Sequence, residues 1–228
     1  RPPGVRDPER AAAAIEGALL ANHVAWTILS SGNVPTMAVF GTPTIFGHGP
    51  ENDTQRRWWH DLLFGTWISA LRDGELHVPG RTPREAPELA GAFDVIGLNH
   101  DHPIAIDQQG GVHPYPTEER RSDTGFTPIV NELGELLSFV TAELPDRRLV
   151  VAGHGVATHD DEWRERILQD TAGLLEDAAT HGVPVEGYLH DTGIDGYEGP
   201  FGFTTQRGLV ARDRELKDSA RWLQSRLG

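Results

Sequence analysis

Side chains able to do chemistry gather in a few short stretches: Asn99-His100-Asp101-His102, Gly153-His154-Gly155, His190-Asp191-Thr192 and, a little further on, Glu198. Imidazole beside carboxylate suits two jobs, moving a proton near neutral pH or holding a divalent metal such as Zn²⁺. His100 and His102 are two apart and would share one side of an extended chain. With His154 and His190 they make a conceivable metal set, and a His/Asp metal-dependent hydrolase is the activity that set implies. The plainer alternative is polar lining, histidines bonded to one another or to water, in a chain that holds 11 of them. Spacing alone is a weak motif, so no metal and no cofactor are expected.

Composition narrows the partners. The chain has 228 residues, 38% of them hydrophobic, enough for one buried core. Lys and Arg number 20 against 34 Asp and Glu, a net charge of −14. Such a field repels nucleic-acid phosphates and anionic membrane, so neither is an expected partner. Cysteine is absent, which removes disulfides, thiolate metal sites and a cysteine nucleophile. No uninterrupted apolar run reaches the roughly 18 residues of a membrane span, and no secretory signal precedes the fold. Arg1 rather than Met stands first, so a segment ahead of it could have been removed; a cytoplasmic location is expected.

The elements that must position these residues follow from pattern. Asp7-Pro8-Glu9 orders cap, proline and acid for a helix start, and the Ala- and Leu-rich run behind it stops at Gly32-Asn33. Residues 34–40 are β-branched and apolar enough for a buried strand. Asn52-Asp53-Thr54 starts a second helix through Trp58, Trp59, Leu62, Leu63 and Trp67, ending near Gly74. Tryptophans so placed are expected in the core. Residues 93–99 read as a second strand, followed by a polar loop and a helix from Thr127-Pro128 through Leu133, Leu136 and Val140. Residues 149–151 form a third strand. The next helix starts at Asp160-Asp161, sets Trp163, Ile167, Leu174 and Ala178 on one face and stops at Gly182. Residues 183–189 form a fourth strand, and residues 219–227 lie in a last helix. Alternating helix and strand imply α/β with a parallel sheet, in which ligands sit at the carboxyl ends of strands. The stretches that opened this reading all leave strands at that end.

Phe93-Asp94-Val95-Ile96-Gly97-Leu98-Asn99 resembles the sixth strand of glycoside hydrolase family 1, the β-glucosidases, which usually reads F-D-F-I-G-I-N-Y-Y. Residues 149–155 fall where that family has I-T-E-N-G. Gly187-Tyr188-Leu189, continuing to Asp195-Gly196-Tyr197-Glu198, is similar to G-Y-F-A-W-S-L-L-D-N-F-E-W. Gly208-Leu209-Val210, Asp213 and Lys217-Asp218-Ser219-Ala220 are similar to the closing G-L-V…D…K-D-S-A, and Trp58, Asp61, Phe64 and Gly65 fit W-F-x-D-P-x-F-x-G. The matches run in order over nearly the whole chain. The resemblance implies a (β/α)8 TIM-barrel type fold, with residues 1–228 supplying about strands 5–8 as the carboxyl-terminal half of one barrel domain. It also implies a small-molecule glycoside or sugar as ligand.

The departures from the family pattern decide what chemistry to expect. Retaining members use two carboxylates about 5–5.5 Å apart, an acid/base and a nucleophile. The resemblance puts Gly153 at the nucleophile's position, and a glycine cannot attack an anomeric carbon. The acid/base belongs to an N-E-P motif that this sequence lacks; Arg1-Pro2-Pro3-Gly4-Val5-Arg6-Asp7 looks like the segment shortly after it. Two stacking tryptophans are replaced by Asp191 and Gly199, and His100 replaces a tyrosine that orients the nucleophile. Asn99, His100, His190 and Glu198 remain as substrate-binding candidates, Glu198 alternatively being satisfied by Arg207. Gly153, His154 and Asp191 mark the catalytic position, with His154 or Asp191 as base for an inverting reaction, which needs a longer separation of about 6.5–9.5 Å. The expectation is a β-glucosidase-like protein inactive as a retaining enzyme or using altered glycoside chemistry. The alternative is a non-catalytic interaction module. Four strands are half a barrel, so a missing amino-terminal half or a second copy is expected to close it.

Overall fold

A computed structural model describes residues 7–115 and 119–227. The residues before Asp7, compared above with a segment of the family, lie outside the described residues. Asp7 caps the first helix as its sequence demands, its carboxylate accepting from the amides of Glu9 and Arg10. Helix α1 spans Pro8–Leu29 and ends through a short turn at Asn33 in the left-handed region. Strand β1 (Met37–Gly41) and the short β2 (Ile45–Gly47) follow. Next come α2 (Asp53–His60), a π-helical turn (Asp61–Gly65) and α3 (Thr66–Asp73), which Gly74 stops at φ 69°. The one helix expected here is therefore interrupted. Trp67 Nε1 donates to the Leu63 carbonyl (2.6 Å) and the Thr66 hydroxyl to that of Asp61 (3.1 Å), occupying backbone acceptors where the helix widens.

A small hairpin, β3 (Glu75–Leu76) with β4 (Arg84–Glu85), leads to β5 (Val95–Asn99). The stretch expected as a polar loop holds two more strands, β6 (Ile104–Ile106) and β7 (Val112–Pro114), which with β2 form a three-stranded sheet. Their shortness hid them: Ile104-Ala105-Ile106 is too brief for a periodic signal. Helix α4 (Val130–Glu143), β8 (Arg148–His154), α5 (Asp161–Thr180), β9 (Val185–His190) and α6 (Asp218–Leu227) complete the chain. Gly182, at φ 85°, follows α5 as expected.

The main sheet runs β1-β5-β8-β9, all parallel, with Val39, Gly97, Val150 and Gly187 in register. One face packs on helices. Ala38, Ile96, Leu98, Leu149 and Val151 join Trp67, Leu71, Leu133, Leu137 and Val140 in the main core, and Phe40 stacks on Trp67 at 4.4 Å. Trp58 and Trp59 also pack against core clusters rather than forming a platform. The other face carries small residues and open apolar ones. A Cβ placed on Gly97 would meet Met37 Sδ and Val39 Cγ2 at 2.9 Å, while Met37 and Val39 are themselves 39% and 48% exposed. Strands β1 and β9 are the two edges. Helix α1 is long and apolar enough to cross a membrane by length and composition alone, although no single apolar run stood out. Its Glu16 is held by Arg81 and Arg84 at 2.7 Å, and its Ala12 and Leu19 are buried against the fold.

Candidate functional site at the carboxyl end of the sheet

The register shift at Leu98/Asn99 brings Asn99, the last residue of β5, opposite Gly153 of β8. Gly153 is buried, and a Cβ there would lie 2.9 Å from Asn99 Oδ1 and 3.0 Å from its Cγ. The Asn99 amide therefore lies against the spot a Gly153 side chain would start from. Backbone bonds lock the corner: His100 donates its amide to the Gly153 carbonyl (2.8 Å), and Thr42 donates to that of Asn99 (2.8 Å).

Behind this corner sit three neutral histidines. His154 is fully buried, and its Nδ1–H donates to the His100 carbonyl at 2.5 Å, because a carbonyl can only accept. That leaves His154 Nε2 as an acceptor with no partner among the described residues. Burial lowers its pKa, the Arg207 charge adding to the effect against the bond to His100. His100 is equally buried, its Nε2 3.2 Å from the Thr44 hydroxyl, and burial brings its pKa down to about 3. His190 donates from Nε2 to the Arg207 carbonyl (3.1 Å) and presents Nδ1 to the Tyr188 hydroxyl (3.0 Å). Burial lowers it to about 4. The Tyr188 hydroxyl shares its one proton between His190 Nδ1 and the His154 carbonyl (2.9 Å), and burial raises its own pKa.

The pairing of charges at the site was not foreseen. Arg207 arrives from the irregular segment between β9 and α6 and, only 7% exposed, inserts between two carboxylates. Its Nη2 donates to Asp101 Oδ1 at 2.6 Å and to Asp191 Oδ2 at 2.7 Å. Glu198, weighed as its partner in the alternative to a sugar-binding role, acts on it through its charge. Burial opposes the Arg207 charge, but Asp101 and Asp191 outweigh it and its pKa rises. Burial likewise raises the Asp101 pKa, with Arg207 opposing and Asp191 reinforcing. The Arg207 Nε–H has no partner among the described residues.

Among the described residues no group of three or more His, Asp or Glu could hold a metal ion. His102 stacks on Phe126 at 4.0 Å, turned to a different neighbour from His100 and His154, and His190 is tied to Tyr188 and Arg207. Adjacent positions in sequence did not become adjacent ring nitrogens.

Several of the resembling motif residues hold the framework in place. Asp195 accepts from the Gly208 amide (2.7 Å) and pairs with Lys217 (2.8 Å). Ser219 donates to Asp161 from its amide (3.0 Å) and its hydroxyl (2.7 Å), pinning α6 to the start of α5. Arg164, buried at the same junction, donates to the carbonyls of Thr158 and Gln206 and to Asp161. Gly208 is obligatory for close approach, since a Cβ there would lie 2.3 Å from the Asp195 amide nitrogen.

No family model matches the chain. It is 24% identical over 192 residues to β-glucosidase 2 of Oryza sativa subsp. japonica, a match covering 72% of this chain and 38% of that protein. The chain thus spans about two fifths of the curated relative's length. The β-glycosidase from Pyrococcus horikoshii superposes with a TM-score of 0.84 at 23% identity, covering 96% of this chain and 54% of that one. The family 1 β-glucosidase from Thermotoga maritima gives 0.86 at 19% identity, covering 99% and 58%, and that enzyme has also been solved in complex with glucoimidazole. The chain is therefore similar in sequence to plant β-glucosidases and folds as part of a (β/α)8 barrel of the family 1 β-glycosidase kind.

Proposed function

We propose that the chain is the carboxyl-terminal half of a β-glycosidase-like barrel that binds a sugar or glycoside at its strand ends without a retaining nucleophile. In this reading it either holds glycosides uncleaved or cleaves them by other chemistry. The observation that carries it is Gly153, a residue with no side chain at the end of a central strand, with the Asn99 amide packed against its Cβ position. The Thermotoga enzyme has been solved in complex with glucoimidazole, which supports a small-molecule sugar or glycoside as the ligand. A carboxylate pair of the retaining kind needs an acidic group here. Asp101 and Asp191, which leave strands at this end of the sheet, are both engaged by Arg207.

The test is a thermal melt of the chain against a panel of β-glycosides. A ligand at 100 times its Kd adds about 2.7 kcal/mol of stability, and melts unmoved across the panel would refute the reading. Gly153→Glu should then restore some retaining hydrolysis once an acid/base is supplied by the other half.

A second reading, an interaction module that needs a partner to complete the barrel, is favoured by the open apolar side chains. Met37 and Val39 on the free sheet face, Leu189 on the β9 edge strand and Val24, Ile28 and Leu29 on α1 are all exposed. Parallel sheets are normally covered on both faces, so an amino-terminal half-barrel or a second copy would bury them. A monodisperse 25 kDa monomer with a cooperative melt would count against it.

A further inference from the structure

Two carboxylates and one guanidinium meet at this mouth, and the charge of a third carboxylate, Glu198, acts on them. Asp101 and Asp191 share a single Nη2 of Arg207, so their bonded oxygens can be no further apart than those two bonds laid end to end. Glu198 lies near enough for its charge to act on both Asp101 and Arg207. The three histidines beside them are held neutral by burial. With Arg207 positive and the three acids ionised, the group carries an excess of two negative charges. The side chains of Asp101 and Asp191 remain 29% and 33% exposed, so a ligand can still reach them.

Two buried groups there also lack partners among the described residues: the Nε–H of Arg207, a donor, and Nε2 of His154, an acceptor. Both residues are more than nine-tenths buried. A hydroxyl can both accept and donate, which is the complement such a pair calls for. A sugar brings hydroxyls in plenty. The charge then discriminates among sugars, because an excess of carboxylate in a partly desolvated site attracts a cation and repels an anion.

Resting on the glycoside-binding reading above, we propose that this mouth selects an amine-bearing glycoside, its ammonium held by Asp101, Asp191 and Glu198 while a ring hydroxyl meets Arg207 and His154. Neutral glycosides bind more weakly, and uronic-acid glycosides weakest of all. The N-acetylated amino sugar keeps the ring and its substituent but loses the charge, so it behaves as a neutral ligand.

The experiment is isothermal titration of the 228-residue chain with methyl β-glucosaminide, methyl β-glucoside, methyl N-acetyl-β-glucosaminide and methyl β-glucuronide at neutral pH. The glucosaminide should bind at least about 10-fold more tightly than the glucoside, equal to about 1.4 kcal/mol, with the glucuronide weakest. Glu198→Gln should cut that preference several-fold. It leaves the Arg207 bonds to Asp101 and Asp191 in place, so it tests the charge even if Asp191→Asn fails to fold. Equal affinities for glucosaminide and glucoside, or a preference unmoved by Glu198→Gln, overturn the inference and leave glycoside binding standing. Absence of binding by all four sugars overturns both.

Discussion

Replacing Arg207 by Met keeps most of the apolar stem and deletes the cation between Asp101 and Asp191. Removing one partner of a buried ion pair typically costs 3–5 kcal/mol, because the charge left behind stays desolvated. Arg207 is 7% exposed, which places it in the buried class. The two aspartates, about a third exposed, recover some solvation, which argues for the lower end, about 3 kcal/mol at pH 7. The deficit must also depend on pH. Burial already raises the Asp101 pKa with Arg207 present, and without the cation it rises further. A carboxyl whose folded pKa exceeds its unfolded value is penalised fully above the folded pKa and not at all below the unfolded one. The difference between Arg207→Met and the unaltered protein should therefore be largest at pH 7 and shrink towards pH 4. Urea unfolding of both proteins at pH 7, 5.5 and 4 measures it, and Arg207→Met/Asp101→Asn should recover part of the loss at pH 7. A deficit below about 1 kcal/mol at pH 7, or one equal at all three pH values, would show that the triad is not the buried network described.

Two further outcomes follow from the packing around it. The unaltered protein should lose stability as pH falls from about 6.5 towards 4. His190 is held neutral down to about 4, while its unfolded counterpart takes a proton near 6.5, so the unfolded state binds more protons across that window. His190 alone accounts for about 3 kcal/mol by pH 4, His100 acts with the same sign and Asp101 opposes them; a melting midpoint flat from pH 7 to 4.5 would contradict this. Gly208→Ala sets a Cβ 2.3 Å from the Asp195 amide nitrogen and 2.8 Å from the Val210 carbonyl oxygen, backbone atoms that cannot swing aside. It should cost about 3 kcal/mol and open residues 191–217 to limited proteolysis, and a variant within 1 kcal/mol of the parent, equally resistant, would refute the latch.

The sheet was legible in the sequence because its determinants are local. Residues 93–99 and 149–151 announce strands by apolar runs between turn residues, and Asp7, Asp160 and Gly182 mark helix ends within a few positions of where they fall. The same locality placed Asn99 and Gly153 at strand ends, and the two meet. Charge pairing was not legible in this way. Arg207 lies nine positions after Glu198 but 106 from Asp101, so proximity along the chain raised Glu198 as a possible partner, whereas the bond runs to Asp101. Nothing local could reveal the right one, since the contact exists only after β5 and β9 have been laid into one sheet with the closing segment folded over their ends. The strand-end histidines face different neighbours for a related reason. His100 and His102 keep the spacing that a continuing strand would turn into a shared face, but β5 ends at Asn99, so the alternation stops just before the residues that depended on it. Chemistry at the end of a parallel strand is set by how the chain leaves the strand. That departure is governed by long-range bonds such as Thr42 to Asn99 and His100 to Gly153, which a single sequence does not display.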